Sequence, residues 1–249
     1  MTGRLYLIPA PIAQGEIADV LPPLTCEKLL GIRHFLAENA KSARSYLSRF
    51  ESHAPFAEID IVEIGHRPDP RWVDSWLAPA LAGEDMGVLS ESGCPAVADP
   101  GAEVVRRAHE LGLEVVPLVG PSSILMTVMA SGLCGQRFRF VGYLPKGREE
   151  KAEALRELYR RSLADETQVF IETPYRNAQT LREALAALPE AALLTVALDI
   201  TGPAQFIRTA SVEDWRKRPP ELPKAPAVFA LKGEAELRAR KRATGARRA

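Results

Sequence analysis

Apolar runs of strand length alternate with amphipathic stretches of helical period along this 249-residue chain, and that alternation predicts an α/β fold. Two further observations sharpen the prediction. Turns rich in small residues, glycine and proline follow the strand-like runs, where open α/β sheets put their sites. The pattern then changes near 131–135, beyond which short strands follow one another in an antiparallel-compatible way. The expectation is two α/β domains, an N-terminal one over 1–131 and a C-terminal one over 132–233, with a basic tail over 234–249.

The elements follow in order. Leu5-Tyr6-Leu7-Ile8 is a first buried strand, stopped by Pro9-Ala10-Pro11. Residues 29–36 read as a second strand, 40–50 as a helix, 59–64 as a third strand and 72–81 as a helix. A strand at 87–89 opens into a turn and a helix over 103–111. A strand over 113–118 ends in a second turn, Val119-Gly120-Pro121-Ser122-Ser123, and the continuously apolar run 124–130 is a helix, since proline suits a first helical turn. In the second half, strands are expected at 138–141, 169–172, 193–200, 205–209 and 227–231, with helices at 148–163 and 178–188.

The turn after the 87–89 strand is the most informative stretch: Ser90-Glu91-Ser92-Gly93-Cys94-Pro95-Ala96-Val97-Ala98-Asp99-Pro100-Gly101. Its small residues let backbone N–H and C=O groups approach a ligand closely. With the second turn at 119–123 it reads as the paired walls of one pocket, or as two ordinary βα connections. Asp99, just before a helix, reads first as an N-cap.

Composition bounds the function. Hydrophobic content of 46% with 26% charged residues is that of an ordinary globular protein. Lys+Arg 32 balances Asp+Glu 32, so no global field draws the chain to nucleic acid or membrane. Cys26, Cys94 and Cys134 share no metal-like spacing and suit a reducing cytoplasm. His34, His53, His66 and His109 lie apart, so no metal is expected. No apolar run is long enough for a bilayer, and the chain starts into a strand rather than a signal peptide, so no membrane partner is expected. The tail holds Arg238, Arg240, Lys241, Arg242, Arg247 and Arg248; it is expected to be partly disordered, and reads equally as a solvated terminus or a nucleic-acid contact.

Five motifs in sequence then carry a resemblance: residues 5–12, 90–101, 116–123, Phe140-Val141-Gly142-Tyr143-Leu144-Pro145, and Phe170-Ile171-Glu172-Thr173-Pro174-Tyr175-Arg176. The chain resembles the tetrapyrrole-methylase superfamily of S-adenosylmethionine-dependent methyltransferases, and within it the bacterial 16S rRNA (cytidine-2′-O)-methyltransferase branch, over nearly its whole length to about Gly233. The resemblance implies two α/β domains with S-adenosyl-L-methionine in the cleft between them, a homodimer, and RNA, rRNA or a ribosomal subunit, as the partner. By position it implies a donor site of Pro9, Ser92, Gly93, Cys94, Val97, Ser122 and Ser123, closed by Tyr175, Leu198, Pro226 and Ala227.

Departures from the branch bear on the acceptor. Its Ala-Glu-Asp-Thr-Arg becomes Ala37-Glu38-Asn39-Ala40-Lys41, its Ser-Asp-Ala-Gly-Thr-Pro becomes Ser90-Glu91-Ser92-Gly93-Cys94-Pro95, and its Arg-Glu-Leu-Thr-Lys becomes Leu198-Asp199-Ile200-Thr201-Gly202. The chain reads as a short, divergent paralogue. A ribose 2′-hydroxyl must lose its proton as it attacks, so Glu172, Glu38 and Glu91 are the candidate bases, with no choice among them. A salt bridge between Glu172 and Arg176 is an equal reading. A small tetrapyrrole-like acceptor and a non-catalytic, donor-binding protein remain the alternatives to an RNA methyltransferase.

Overall fold

The computed structural model describes residues 2–51 and 54–233, so the basic tail over 234–249 lies outside the described residues. By contact the chain forms two units, Met1–Ser122 and Ser123–Ala249.

The first unit is a five-stranded parallel sheet in the order β3-β2-β4-β1-β5, from β1 (Arg4–Ile8), β2 (His34–Ala37), β3 (Asp60–Glu63), β4 (Met86–Leu89) and β5 (Glu114–Pro117). Alternate residues of β1 serve opposite faces, as the pleat requires. Leu5 packs with Leu36 and Val88 against Val73, Leu77, Val104 and Ala108, the side of α3 (Val73–Trp76), α4 (Ala78–Leu81) and α5 (Ala102–Glu110). Tyr6 and Ile8 pack with Phe35 against Leu29, Ala43 and Leu47, the side of α1 (Pro23–Gly31) and α2 (Ala40–Leu47). Each fully buried aliphatic side chain here contributes roughly 1.5–3 kcal/mol.

The strand order sets the site. The chain leaves β1 in one direction to reach β2 and leaves β4 in the other to reach β5, with the crossover helices on opposite faces. Between the carboxyl ends of β1 and β4 the order reverses, and that is where an open α/β sheet leaves a crevice.

Three expectations need correction. Residues 29–36 are not one strand: Pro23 starts α1, whose buried Thr25 and Leu29 lie four apart, and only His34–Ala37 is extended. The helix expected over 72–81 is two short ones, because Pro79 opens a new first turn and cannot continue the earlier ladder. The domain boundary falls before α6 (Ser123–Ser131) rather than after it. Ile124 and Val128 of α6 share a core with Val169, Val228 and Ala230, and the Thr209 hydroxyl donates to the Ser131 carbonyl at 2.7 Å. The apolar run that looked like the end of one domain packs Ile124 and Val128 into the core of the next, while Leu125 and Met129 stand exposed.

The second unit has the sheet order β6-β7-β10-β8-β9, from β6 (Phe138–Tyr143), β7 (Thr167–Glu172), β8 (Leu193–Leu198), β9 (Phe206–Ser211) and β10 (Ala227–Lys232). β6 and β7 are parallel; the other pairs are antiparallel. α7 (Arg148–Ser162) and α8 (Asn177–Ala187) supply Leu155, Leu158, Leu181 and Ala184 to its core, where Phe170 stacks on Phe229 at 5.1 Å. α9 (Val212–Lys217) escaped the sequence reading; its signal was Ser211, whose hydroxyl caps it by accepting the Asp214 N–H. It seats Trp215 fully buried, with Nε1 donating to the Leu194 carbonyl at 2.8 Å.

A candidate ligand site at the carboxyl ends of the first sheet

The turn after β1 and the turn after β4 are clipped together at the crevice. Ala10 N–H donates to the Gly93 carbonyl at 2.9 Å, and Gly93 N–H donates back to the Ala10 carbonyl at 3.0 Å. The long turn is held in an unusual shape: φ is positive at Gly93 (77°), Ala96 (63°), Ala98 (58°) and Gly101 (124°). Two left-handed alanines cost on the order of 1 kcal/mol or more each, and such strain persists only where surrounding contacts impose it, commonly at binding sites. Those contacts are visible. The Ser90 hydroxyl donates to the Ser92 carbonyl at 3.1 Å and accepts the Ser92 N–H at 3.2 Å. The Cys94 thiol reaches the Pro121 carbonyl at 3.6 Å, tying the turn to the one after β5. Burial pushes that thiol up in pKa, so it stays a protonated donor. The Tyr46 hydroxyl donates to the Pro9 carbonyl at 3.0 Å.

The sequence-predicted residues of this unit therefore converge. Pro9, Ser92, Gly93 and Cys94 sit on the clipped turns, and Ser122 ends the turn after β5. Val97 stands 49% exposed, an apolar side chain left without cover in the strained turn. Ser123 opens α6, its carbonyl accepting the Thr127 hydroxyl at 2.7 Å.

Beside the clip lies a cavity of about 510 Å³. One wall is α2 and the residues around it: Asn39, Lys41, Ser42, Ser45, Tyr46 and Arg49. The other is Ser90 and Glu91 at the end of β4. Asn39 caps α2, its Oδ1 accepting the Lys41 and Ser42 N–H groups at 3.0 Å each. Sequence reasoning missed this wall, although the spacing of Lys41 and Ser45 on one helix face carried part of it.

Three carboxyl groups gather next to that cavity. Glu38 is 10% exposed and pairs with the exposed His66. Asp99 is not the helix cap expected of it: α5 is capped at Gly101 without a side chain, and Asp99 Oδ2 is buried with no partner. Burial pushes Asp99 up to about 7, opposed next by the Ser90 hydroxyl and helped by the nearby Glu38 and Glu91 carboxylates.

Glu172, in the second unit, is the reverse case. Its carboxylate is 1% exposed and accepts from the Thr173 N–H at 2.7 Å, the Thr180 hydroxyl at 2.8 Å and Lys151 Nζ at 3.4 Å, while Arg176 pairs with its other oxygen. Burial pushes its pKa up, but these donors outweigh burial and hold it below the usual range. A carboxylate so occupied has no free lone pair for a hydroxyl proton. Glu172 is an anchor, which corrects its reading as a candidate base and leaves Glu38 and Glu91.

What Glu172 anchors is the turn to α8. There Tyr175 stands 80% exposed with Lys224 Nζ 5.5 Å from its ring centre. Ala227 pairs with both Glu172 and Leu198, and the Pro226 carbonyl accepts the Asp199 N–H at 2.9 Å. Leu198, Pro226 and Ala227 thus share one end of the second sheet with Glu172. The turn beyond satisfies itself: Asp199 Oδ2 accepts the Ala204 N–H, and Gln205 Oε1 accepts the Thr201 N–H, at 2.8 Å each. Among the described residues, no helix is long and apolar enough to cross a membrane.

Comparison with known proteins accords with this geometry. The sequence model of the family described as Tetrapyrrole (Corrin/Porphyrin) Methylases matches residues 18–215. The chain is 27% identical over 234 residues to the Ribosomal RNA small subunit methyltransferase I of Escherichia coli O157:H7, covering 93% of this chain and 78% of that one. It is 31% identical over 191 residues to the protein of the same name from Bacillus subtilis (strain 168), covering 76% of this chain and 59% of the relative. In structure it is similar to the methyltransferase CobJ, with a TM-score of 0.61 at 20% identity over 94% of this chain and 95% of that one; at that identity the likeness bears on the fold alone.

Proposed function

The chain belongs to the tetrapyrrole methylase family, and from that premise we propose that it is an S-adenosylmethionine-dependent methyltransferase acting on a ribose 2′-hydroxyl of small-subunit ribosomal RNA. The observation that carries this reading is the likeness, over 93% of the chain, to proteins named for that class of substrate. The clipped turns at the switch point support it, since they put a ready-made ligand site where such a sheet has its crevice.

The residues present suit the methyl donor. The exposed Val97 and Val119 offer apolar surface for an adenine ring, and the hydroxyls of Ser92 and Ser122 with the strained backbone of 93–101 suit its polar parts. When bound, S-adenosylmethionine supplies an electrophilic methyl group on a sulfonium sulfur. The protein's task is then to align donor and acceptor in line and to exclude water. Glu91, on the cavity wall, is placed to take the hydroxyl proton, with Glu38 and the high-pKa Asp99 behind it to share that charge. A homodimer in the cytoplasm belongs to the same proposal, supported by the family likeness and by α6, whose Met129 stands 81% exposed.

The test is labelled-methyl transfer to small ribosomal subunits, total RNA and a small-metabolite extract, with sedimentation of the same preparation. Label in ribose of the small-subunit RNA is expected. Label confined to the metabolite fraction replaces the reading with a small-molecule methyltransferase.

A further inference from the structure

The cavity beside the clip is not symmetric in charge. The segment 40–50 carries Lys41, Arg44 and Arg49 and no acidic residue. On α7, by contrast, Arg156, Arg160 and Arg161 pair with Glu153 and Glu157. Lys41 and Arg49 make no ion pair among the described residues; Arg49 Nη2 donates only to the Gly15 carbonyl, at 2.6 Å. Lys41 and Ser45 lie four apart on α2 and share one face, Arg49 follows in the turn after the helix, and all three line the cavity. Leu47 of α2 is buried into the core, and Ala43, also buried, borders the cavity as well. Ser45 adds a neutral hydroxyl donor to the same wall, where the Ser42 hydroxyl donates to Asn39 Oδ1 at 3.4 Å, while the facing wall has Ser90 and the carboxylate of Glu91.

We infer that this α2 wall binds the phosphate backbone of a single-stranded segment of the RNA substrate, seating one nucleotide with its phosphate on Lys41 and Arg49 and its ribose toward Glu91. The inference rests on the RNA reading above and deepens it. An anion is what two cations without an ion pair among the described residues and a hydroxyl, all lining one cavity, recognise, and a hydroxyl is what the facing carboxylate can accept a proton from. Size decides between strand forms. A volume of about 510 Å³ is that of a small-ligand site; it admits one splayed nucleotide and excludes a duplex, whose bases are not available to such a pocket. The zero net charge of the chain fits a local rather than a global electrostatic site.

The test uses the full chain and its variants Lys41→Gln, Arg49→Gln and the double, with Lys217→Gln on α9 as a charge-matched control. Lys41 is exposed and its side chain makes no hydrogen bond among the described residues, so Lys41→Gln carries the test even where Arg49→Gln loosens the loop at Gly15. Affinity for a labelled single-stranded oligoribonucleotide is measured against salt, KM for small ribosomal subunits by methyl transfer, and donor affinity by calorimetry. Each removal is expected to lower the salt slope by about 0.7 and to raise KM roughly tenfold, as loss of a charged hydrogen bond does. Donor affinity should not move. Equal slopes and KM in the double variant, from a wild type that labels RNA, overturn the inference alone. A wild type that labels no RNA overturns the functional reading and this inference with it. Polyglutamate that displaces the oligonucleotide at equal charge makes the wall a general anion site and also overturns it.

Discussion

Glu172 and Asp99 are carboxyl groups near the carboxyl ends of strands, one in each unit, and their surroundings treat them oppositely. Glu172 is saturated by Lys151, Thr173, Thr180 and Arg176 and held below the usual carboxylate range. Asp99 has a buried oxygen with no partner and two acidic neighbours, and is pushed up to about 7. The difference separates scaffold from chemistry. A carboxylate whose donors are all present fixes a turn in place, and one left short of donors can exchange a proton near neutral pH.

The largest way to break the contrast is on the saturated side. Lys151→Met removes the cation between Glu172 and Glu183, both within ion-pair distance of it. It should cost about 3–5 kcal/mol of unfolding free energy, because it leaves buried carboxylates under-compensated. Urea denaturation checks this, and a loss within experimental error would make the network ornamental.

A smaller effect tests the strained turn. Gly93→Val places a β-branched residue at a φ of 77°, at an expected cost of roughly 1–3 kcal/mol. The Cβ itself meets only ordinary contacts, 3.4 Å from Ile12 Cγ2 and 3.6 Å from the Pro121 carbonyl. Conformation, not crowding, should therefore set the loss, and Gly93→Ala should keep most of it. Calorimetry on the same proteins should show weaker donor binding for both; unchanged donor affinity would put the donor elsewhere.

A pH-dependent effect sharpens the contrast at Asp99. A carboxyl raised in the fold binds its proton where the unfolded chain has already lost it, so stability falls as pH rises. For Asp99 the fall should span the window from 3.8 to about 7 and level off above it. Melting temperatures across that window should decline in the wild type relative to Asp99→Asn, which has no proton to lose. Parallel curves would mean that Asp99 ionises normally.

Much of the frame was legible in the sequence because burial writes itself as apolar runs. β1, β4 and β5 were each found where Leu, Val and Ile cluster, and Gly-rich turns marked the ends that carry the site. α1 was lost because Leu29, Leu30 and Ile32 run on toward β2 and mask a helix that buries few of its residues. The boundary at α6 was misplaced because an apolar helix does not say which sheet it covers. Among the candidate site residues, the turn motif marked Gly93 and Cys94, but sequence distance hid the meeting of Asp99 with Glu38, and of Glu172 with Lys151, 21 residues away. Whether a carboxylate is an anchor or a base depends on donors supplied by other elements, and periodicity does not record them.

The placement of β1 has a consequence for how the protein is made. β1 is made before the other strands of its sheet, yet it lies between β4 and β5 in the finished sheet. Its hydrogen-bonding edges are covered only after Pro117 has been synthesised. At translation rates of roughly 5–20 residues per second, the nascent chain carries an unpaired apolar strand for on the order of ten seconds. A ribosome stalled before that point would hold Leu5-Tyr6-Leu7-Ile8 open to another chain, so this segment should depend on chaperone cover during synthesis.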